Sequence, residues 1–191
     1  LFGEYGIIKD SKGLSIPYNF YNGALKVDEN PSSEAIKSNQ SLQKFAIYLE
    51  QLQQEQPELV TFNLETLKTD VARGMYFDSS IPQGYGVGSS GALVAAIYDK
   101  YANDKITVLE NLTREKLLQL KNIFAQMESF FHGKSSGLDP LNSYLSIPIL
   151  INSKDNIEAT GIPTQSTTGK GAVFLLDSGI VGETAPMVNI F

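Results

Sequence analysis

Apolar residues recur at a spacing of three and four in three stretches of the chain. Leu42, Phe45, Ala46, Leu49 and Leu52 mark one face of a helix that starts at Ser41 and is limited by Pro57. Leu117, Leu120, Phe124, Met127 and Phe131 mark the clearest helix. Thr113 is its N-cap, Glu115 lies in its first turn and Gly133 is its stop. A third helical pattern, small and apolar at first, runs from Gly91 to Tyr101. Short apolar runs predict strands. Leu1 to Ile8 reads as strand and turn. Leu14 to Tyr18 and Ala24 to Val27 flank Asn22-Gly23, a hairpin signal. Asn30 to Ser33 is a loop. A strand within Arg73 to Ile81 feeds a glycine-rich loop, and Ile147 to Ile151 and Ala172 to Asp177 read as buried strands. No repeat, low-complexity tract or linker interrupts this order. The fold class expected is α/β in the broad sense (α+β), with strands clustered early and late.

Composition narrows the class. At 42% hydrophobic and 19% charged, the 191 residues have the balance of an ordinary globular chain. The net charge of −6 speaks against a nucleic-acid partner, whose phosphates need a basic surface. It does not speak against a nucleotide held in a local site. The absence of Cys excludes disulfides, thiolate catalysis and Cys-ligated metals, and fits a reducing, cytoplasmic location. No apolar run approaches the ~20 residues that span a bilayer, so no membrane partner is expected. Leu1-Phe2-Gly3-Glu4 reads like the end of a strand that starts upstream, and Met187 to Phe191 stop in mid-pattern, so both ends are expected to be cut.

The segment Pro82-Gln83-Gly84-Tyr85-Gly86-Val87-Gly88-Ser89-Ser90-Gly91-Ala92 is the most informative in the chain. Glycines at alternate positions let a backbone approach a ligand closely, and two hydroxyls follow. A loop that runs into a helix start offers free N–H groups and the positive end of the helix dipole, which suits a phosphate. A tight strand-to-helix turn, with glycines for packing alone, accounts for the same pattern. The loop is not a Walker P-loop, because no Lys precedes the serines, and its glycine spacing is not that of a dinucleotide fold. Glu128 shares a helix face with Phe124 and Phe131. A carboxylate beside an apolar stripe is costly to bury unless paired, and a boundary position is the plain alternative.

The segment from Pro82 to Ala92 resembles the signature phosphate loop of the GHMP kinases (galactokinase, homoserine kinase, mevalonate kinase and phosphomevalonate kinase). Gly91 stands where that family usually has Ala. Phe131-His132-Gly133-Lys134-Ser135-Ser136-Gly137-Leu138-Asp139 resembles the His-Gly-x-Pro-Ser-Gly-x-Asp segment of mevalonate kinases, with Lys134 read in place of the Pro. Glu128 and Asp139 stand at the separation expected there between the magnesium-binding carboxylate and the catalytic aspartate. His132, the only His, marks the helix-to-loop turn in that family and is not the base. Leu1 to Gly6 resembles the family's first motif, in which Glu4 matches and Tyr5 replaces the frequent His. Leu175 to Thr184 resembles the segment leading towards the second lobe.

The resemblance implies a GHMP N-terminal domain of ribosomal protein S5 domain 2 type over residues 1–191, with the ferredoxin-like C-terminal domain largely missing. It implies transfer of the ATP γ-phosphate, with Mg2+, to a small-molecule hydroxyl, mevalonate above all. Gly84, Gly86, Gly88, Ser89 and Ser90 would hold the phosphates, Ser90 and Glu128 the Mg2+, and Asp139 would be catalytic. Glu4, Tyr5 and Thr184 would line the substrate pocket, and the chain could act as a homodimer. The family's upstream Lys is not in this chain, so the isolated piece is expected to be inactive. Another GHMP kinase, or a non-catalytic nucleotide-binding module, is the alternative.

Overall fold

The computed structural model describes residues 11–83, 86–109 and 111–161. The expected strands at Leu1 to Ile8 and Ala172 to Asp177 lie outside these residues. The elements are β1 (Gly13–Ser15), β2 (Gly23–Lys26), α1 (Ser33–Glu55), α2 (Leu64–Ala72), β3 (Tyr76–Ser79), α3 (Ser89–Tyr101), α4 (Arg114–His132), α5 (Leu138–Leu145), β4 (Ile149–Ser153) and β5 (Asn156–Ala159). Helix and sheet are thus mixed, as the apolar pattern predicts. Among the described residues no helix is long and apolar enough to cross a membrane.

Two small antiparallel sheets form, β1-β4-β5 and β2-β3. The hairpin expected at Asn22-Gly23 does not. Gly23 opens β2 opposite Ser79, and β1 pairs instead with β4, Leu14 facing Leu150. The glycine serves a close approach rather than a turn, because a β-carbon there would collide with the Phe77 ring. Ser80 closes the ladder, its amide donating to the Asn22 carbonyl at 2.9 Å.

Helix α1 starts well before Ser41, at a polar segment whose weak apolar signal hides it. Ser32 is the N-cap, accepting from the Ala35 amide at 3.2 Å, and Glu34 sits in the first turn where the helix dipole favours a carboxylate. The apolar stripe then does what its spacing predicts, for Leu42, Phe45, Ala46, Leu49 and Leu52 are all buried. The short helix α2 and the strand β5 escape the sequence pattern. Asn63 caps α2, and only Leu67 and Val71 of that helix are buried, too few for a readable period. Asn39 ties α1 to this region, its side-chain amide donating to the carbonyls of Val71 and Met75 at 2.9 and 2.7 Å.

The core is one cluster shared by α1, α3, α4, α5 and the β1-β4-β5 sheet, in which Leu49, Ile97, Leu120, Phe124, Met127, Leu141 and Ile149 lose all solvent contact. Tyr98 and Phe124 meet edge to face at 5.0 Å between ring centroids, and Phe45 packs on Phe130 at 5.1 Å. Helix α4 begins at the expected N-cap Thr113 and ends at the expected Gly133, whose φ of +72° closes the helix in a conformation that suits glycine. The start of α3 lies against the start of α5, and both reach the C-terminal half of α4. That meeting point holds the chemistry-bearing residues.

Candidate active site

Helix α3 starts at Ser89. Its N-cap Gly88 is left-handed (φ +74°) and provides no side-chain cap. The Gly88 carbonyl accepts from the Ala92 amide at 2.9 Å, so the amides of Ser89, Ser90 and Gly91 open towards the loop without intrahelical acceptors. Helix α5 repeats the device only in part, since Ser136 Oγ accepts from the Leu138 amide at 3.3 Å and Pro140 has no N–H. Gly137 is its left-handed N-cap (φ +74°), again with no side-chain cap. Two helix N-termini therefore meet, and their positive dipole ends favour an anion between or before them.

Asp139 lies at this junction. It is the second residue of α5, held by the helix that Gly137 initiates. A β-carbon added to Gly88 would stand 3.5 Å from Asp139 Cβ and 3.7 Å from its Oδ2, so the carboxylate faces the loop backbone. Gly91 explains how the two helices come so near. A β-carbon there would stand 2.8 Å from both the Asp139 carbonyl carbon and the Pro140 nitrogen. The departure from Ala at Gly91 is thus a packing requirement of this chain.

Glu128, on α4, points into the same region and is 4% exposed. Both of its oxygens are paired. Ser90 Oγ donates to Oε1 at 2.9 Å and Ser135 Oγ donates to Oε2 at 2.5 Å. Nε2 of His132 also lies 2.9 Å from Ser90 Oγ. Burial raises the Glu128 pKa above its ordinary value. The charge of Asp139 reinforces the rise, while the hydrogen bonds from Ser135 and Ser90 and the nearby His132 oppose it. Asp139 keeps contact with solvent, yet neighbouring protein partly desolvates its carboxylate. That desolvation raises its pKa as well, with His132 again opposing.

The structure thus brings Gly88, Ser89, Ser90, Glu128 and Asp139 together, and Gly86 sits exposed just before them. Gly84, Glu4, Tyr5 and Thr184 lie outside the described residues. Two contributors escape the sequence reading, Ser135 and the contact of His132 with Ser90. The signal for Ser135 is the run Ser135-Ser136-Gly137, since short hydroxyl side chains bond local groups at turns. The eight positions of His-Gly-x-Pro-Ser-Gly-x-Asp, laid one for one on His132 to Asp139, also put the proline at Ser135 rather than Lys134.

The donor set suits a hard cation. Magnesium–oxygen distances of about 2.0–2.1 Å set neighbouring oxygens of an octahedron roughly 2.9–3.0 Å apart. The 2.9 Å between Ser90 Oγ and Glu128 Oε1 matches that edge. Among the described residues no group of three or more His, Asp or Glu side chains is placed to hold a metal.

No curated protein and no solved structure matches the chain significantly. The family model described as GHMP kinases N terminal domain matches residues 43–146, over half of the chain, including Gly88, Ser90, Glu128 and Asp139. The chain belongs to this family, whose members are ATP-dependent kinases of small molecules.

Proposed function

We propose that the protein transfers the γ-phosphate of ATP to the hydroxyl of a small molecule, mevalonate or a related alcohol, in the cytoplasm. The observation that carries this reading is the meeting of the uncapped N-terminus of α3 and the start of α5 with a Ser90–Glu128 oxygen pair at 2.9 Å and with Asp139 facing the Gly88 backbone. A non-catalytic nucleotide binder has no use for the second carboxylate.

In this reading the amides of the segment Gly84, Gly86, Gly88, Ser89 and Ser90 hold the phosphate oxygens, and the α3 dipole lowers the cost of gathering their charge. Ser90 and Glu128 hold Mg2+, which when bound neutralises phosphate charge in the transfer. Asp139 orients the acceptor hydroxyl. As the oxygen–phosphorus bond forms and the β–γ bridging bond breaks, the hydroxyl proton passes to Asp139 Oδ2 and ADP carries away the bond's electron pair. The raised pKa of Asp139 makes its carboxylate a better proton acceptor than an ordinary one. Glu4, Tyr5 and Thr184 complete the acceptor pocket in this reading.

The test is a phosphoryl-transfer screen of the full-length protein over mevalonate, phosphomevalonate, homoserine and sugars. Turnover of mevalonate well above the others supports the proposal. Preference for another alcohol moves the chain within its family. Tight Mg2+-ATP binding with no transfer to any acceptor supports the nucleotide-binding module instead.

A further inference from the structure

Ser135 hydrogen-bonds both to Glu128 on α4 and to the N-cap of α5. Its hydroxyl donates to Glu128 Oε2 at 2.5 Å, and its oxygen accepts from the Gly137 amide at 3.0 Å. Gly137 is the N-cap from which α5 and Asp139 start. Glu128 is therefore gripped at two places, by α3 through Ser90 on Oε1 and by the loop after α4 through Ser135 on Oε2. The two grips differ in what a cation would do to them. A cation between Ser90 Oγ and Glu128 Oε1 would occupy the place of the Ser90 proton and use the Oε1 lone pair that now accepts it, so that bond must open. The Ser135 bond is on the far oxygen and need not. Without it, the carboxylate is free to rotate about its last side-chain torsion, which is broad and soft.

We propose that Ser135 is a positioning residue for cation binding: its hydroxyl, bridging Glu128 Oε2 and the Gly137 amide, keeps Glu128 Oε1 turned towards Ser90 and fixes the carboxylate relative to the start of α5. The inference rests on the reading of Ser90 and Glu128 as the Mg2+ pair. At the proline position of the resembled segment a side chain with no hydrogen-bonding group would leave Oε2 to other partners, so the device belongs to this chain. Groups that orient a ligand from behind typically change metal affinity or activity by about 10–100-fold when removed.

The experiment is calorimetric titration of the full-length protein with ATP in the presence and absence of Mg2+, for wild type, Ser135→Ala and Ser135→Thr, with a melting curve for each. The wild type is expected to gain ATP affinity from Mg2+. Ser135→Ala should lose about tenfold of that gain and keep its metal-free ATP affinity. Ser135→Thr, which keeps the hydroxyl, should restore the gain. An alanine variant that keeps the full Mg2+ effect overturns the proposal, and so does one whose metal-free binding and melting temperature fall together, since Ser135 would then be structural. A wild type with no Mg2+ effect overturns the Mg2+ reading itself, and the proposal with it.

Discussion

Gly91→Ala is a revealing perturbation, because it installs the residue the family usually carries and yet should do harm. The added β-carbon meets the Asp139 carbonyl carbon and the Pro140 nitrogen at 2.8 Å and Asp139 Cβ at 2.9 Å, where ordinary contact begins near 3.4 Å. Two of the three neighbours are backbone atoms, and one belongs to a proline ring, so no rotamer change relieves them. The start of α5 has to move by about 0.6 Å or α3 has to tilt, at an overpacking cost of ~1–3 kcal/mol. Replacing glycine by alanine within a helix returns up to ~1 kcal/mol. The net loss of about 1–2 kcal/mol corresponds to a melting temperature lower by roughly 2–8 °C for a domain of this size. Activity should fall further than stability, since the atoms pushed are those of Asp139. A misplacement of 1 Å near reacting atoms can cost ~10²-fold, so about tenfold in kcat is expected. Thermal melts and steady-state kinetics of the full-length protein measure both. Gly161→Ala, whose β-carbon meets nothing within 4 Å, is the control. A Gly91→Ala protein that melts as high as wild type and keeps its kcat would refute the close approach of α3 and α5.

Three further outcomes follow from the same geometry. Glu128→Gln should weaken Mg2+-ATP binding by at least ~10-fold, with little change for metal-free ATP; equal loss of both in a binding titration would assign Glu128 a folding role. The raised pKa of Glu128 means that the folded state takes up its proton before the unfolded state does. Its contribution to stability is thus full below the unfolded pKa and is lost as pH rises through the folded one. Glu128→Gln should therefore melt above wild type at neutral pH, and the gap should close as pH falls into the carboxylate range; a gap that widens on acidification contradicts the sign. Leu49→Ala removes a side chain with 0% exposure from the contact of α1 with the core and should cost ~2–5 kcal/mol in denaturant unfolding, whereas less than ~1 kcal/mol would place Leu49 outside the core.

Much of this site is legible in sequence because helix periodicity and capping are local. Leu117, Leu120, Phe124 and Met127 locate α4, Thr113 and Gly133 bound it, and the loop before Ser89 announces a helix start. What fails to show is non-local. The partner of β1 is a strand more than a hundred residues away, and Asn22-Gly23 imitates a turn because glycine is demanded there by the Phe77 ring instead. The partner of Ser135 escapes for a similar reason, since the bond to Glu128 depends on the loop after α4 folding back onto that helix. Gly91 reads only as a departure from the family's Ala until α5 is seen against it. A residue type alone does not say whether glycine serves conformation or contact.

Asp139→Asn tests the central claim most directly. The substitution keeps the shape and removes the proposed proton acceptor from the start of α5. With folding checked by a melting curve, steady-state kinetics of the full-length variant on its best acceptor should show kcat lower by at least ~10²-fold, the usual low end for losing a general base. The KM for ATP should stay nearly unchanged, because the proposed function gives the phosphates and the cation to the α3 loop, Ser90 and Glu128. A folded Asp139→Asn protein with near-normal kcat would show that this carboxylate does not act on the acceptor hydroxyl, and the account of the site would fail.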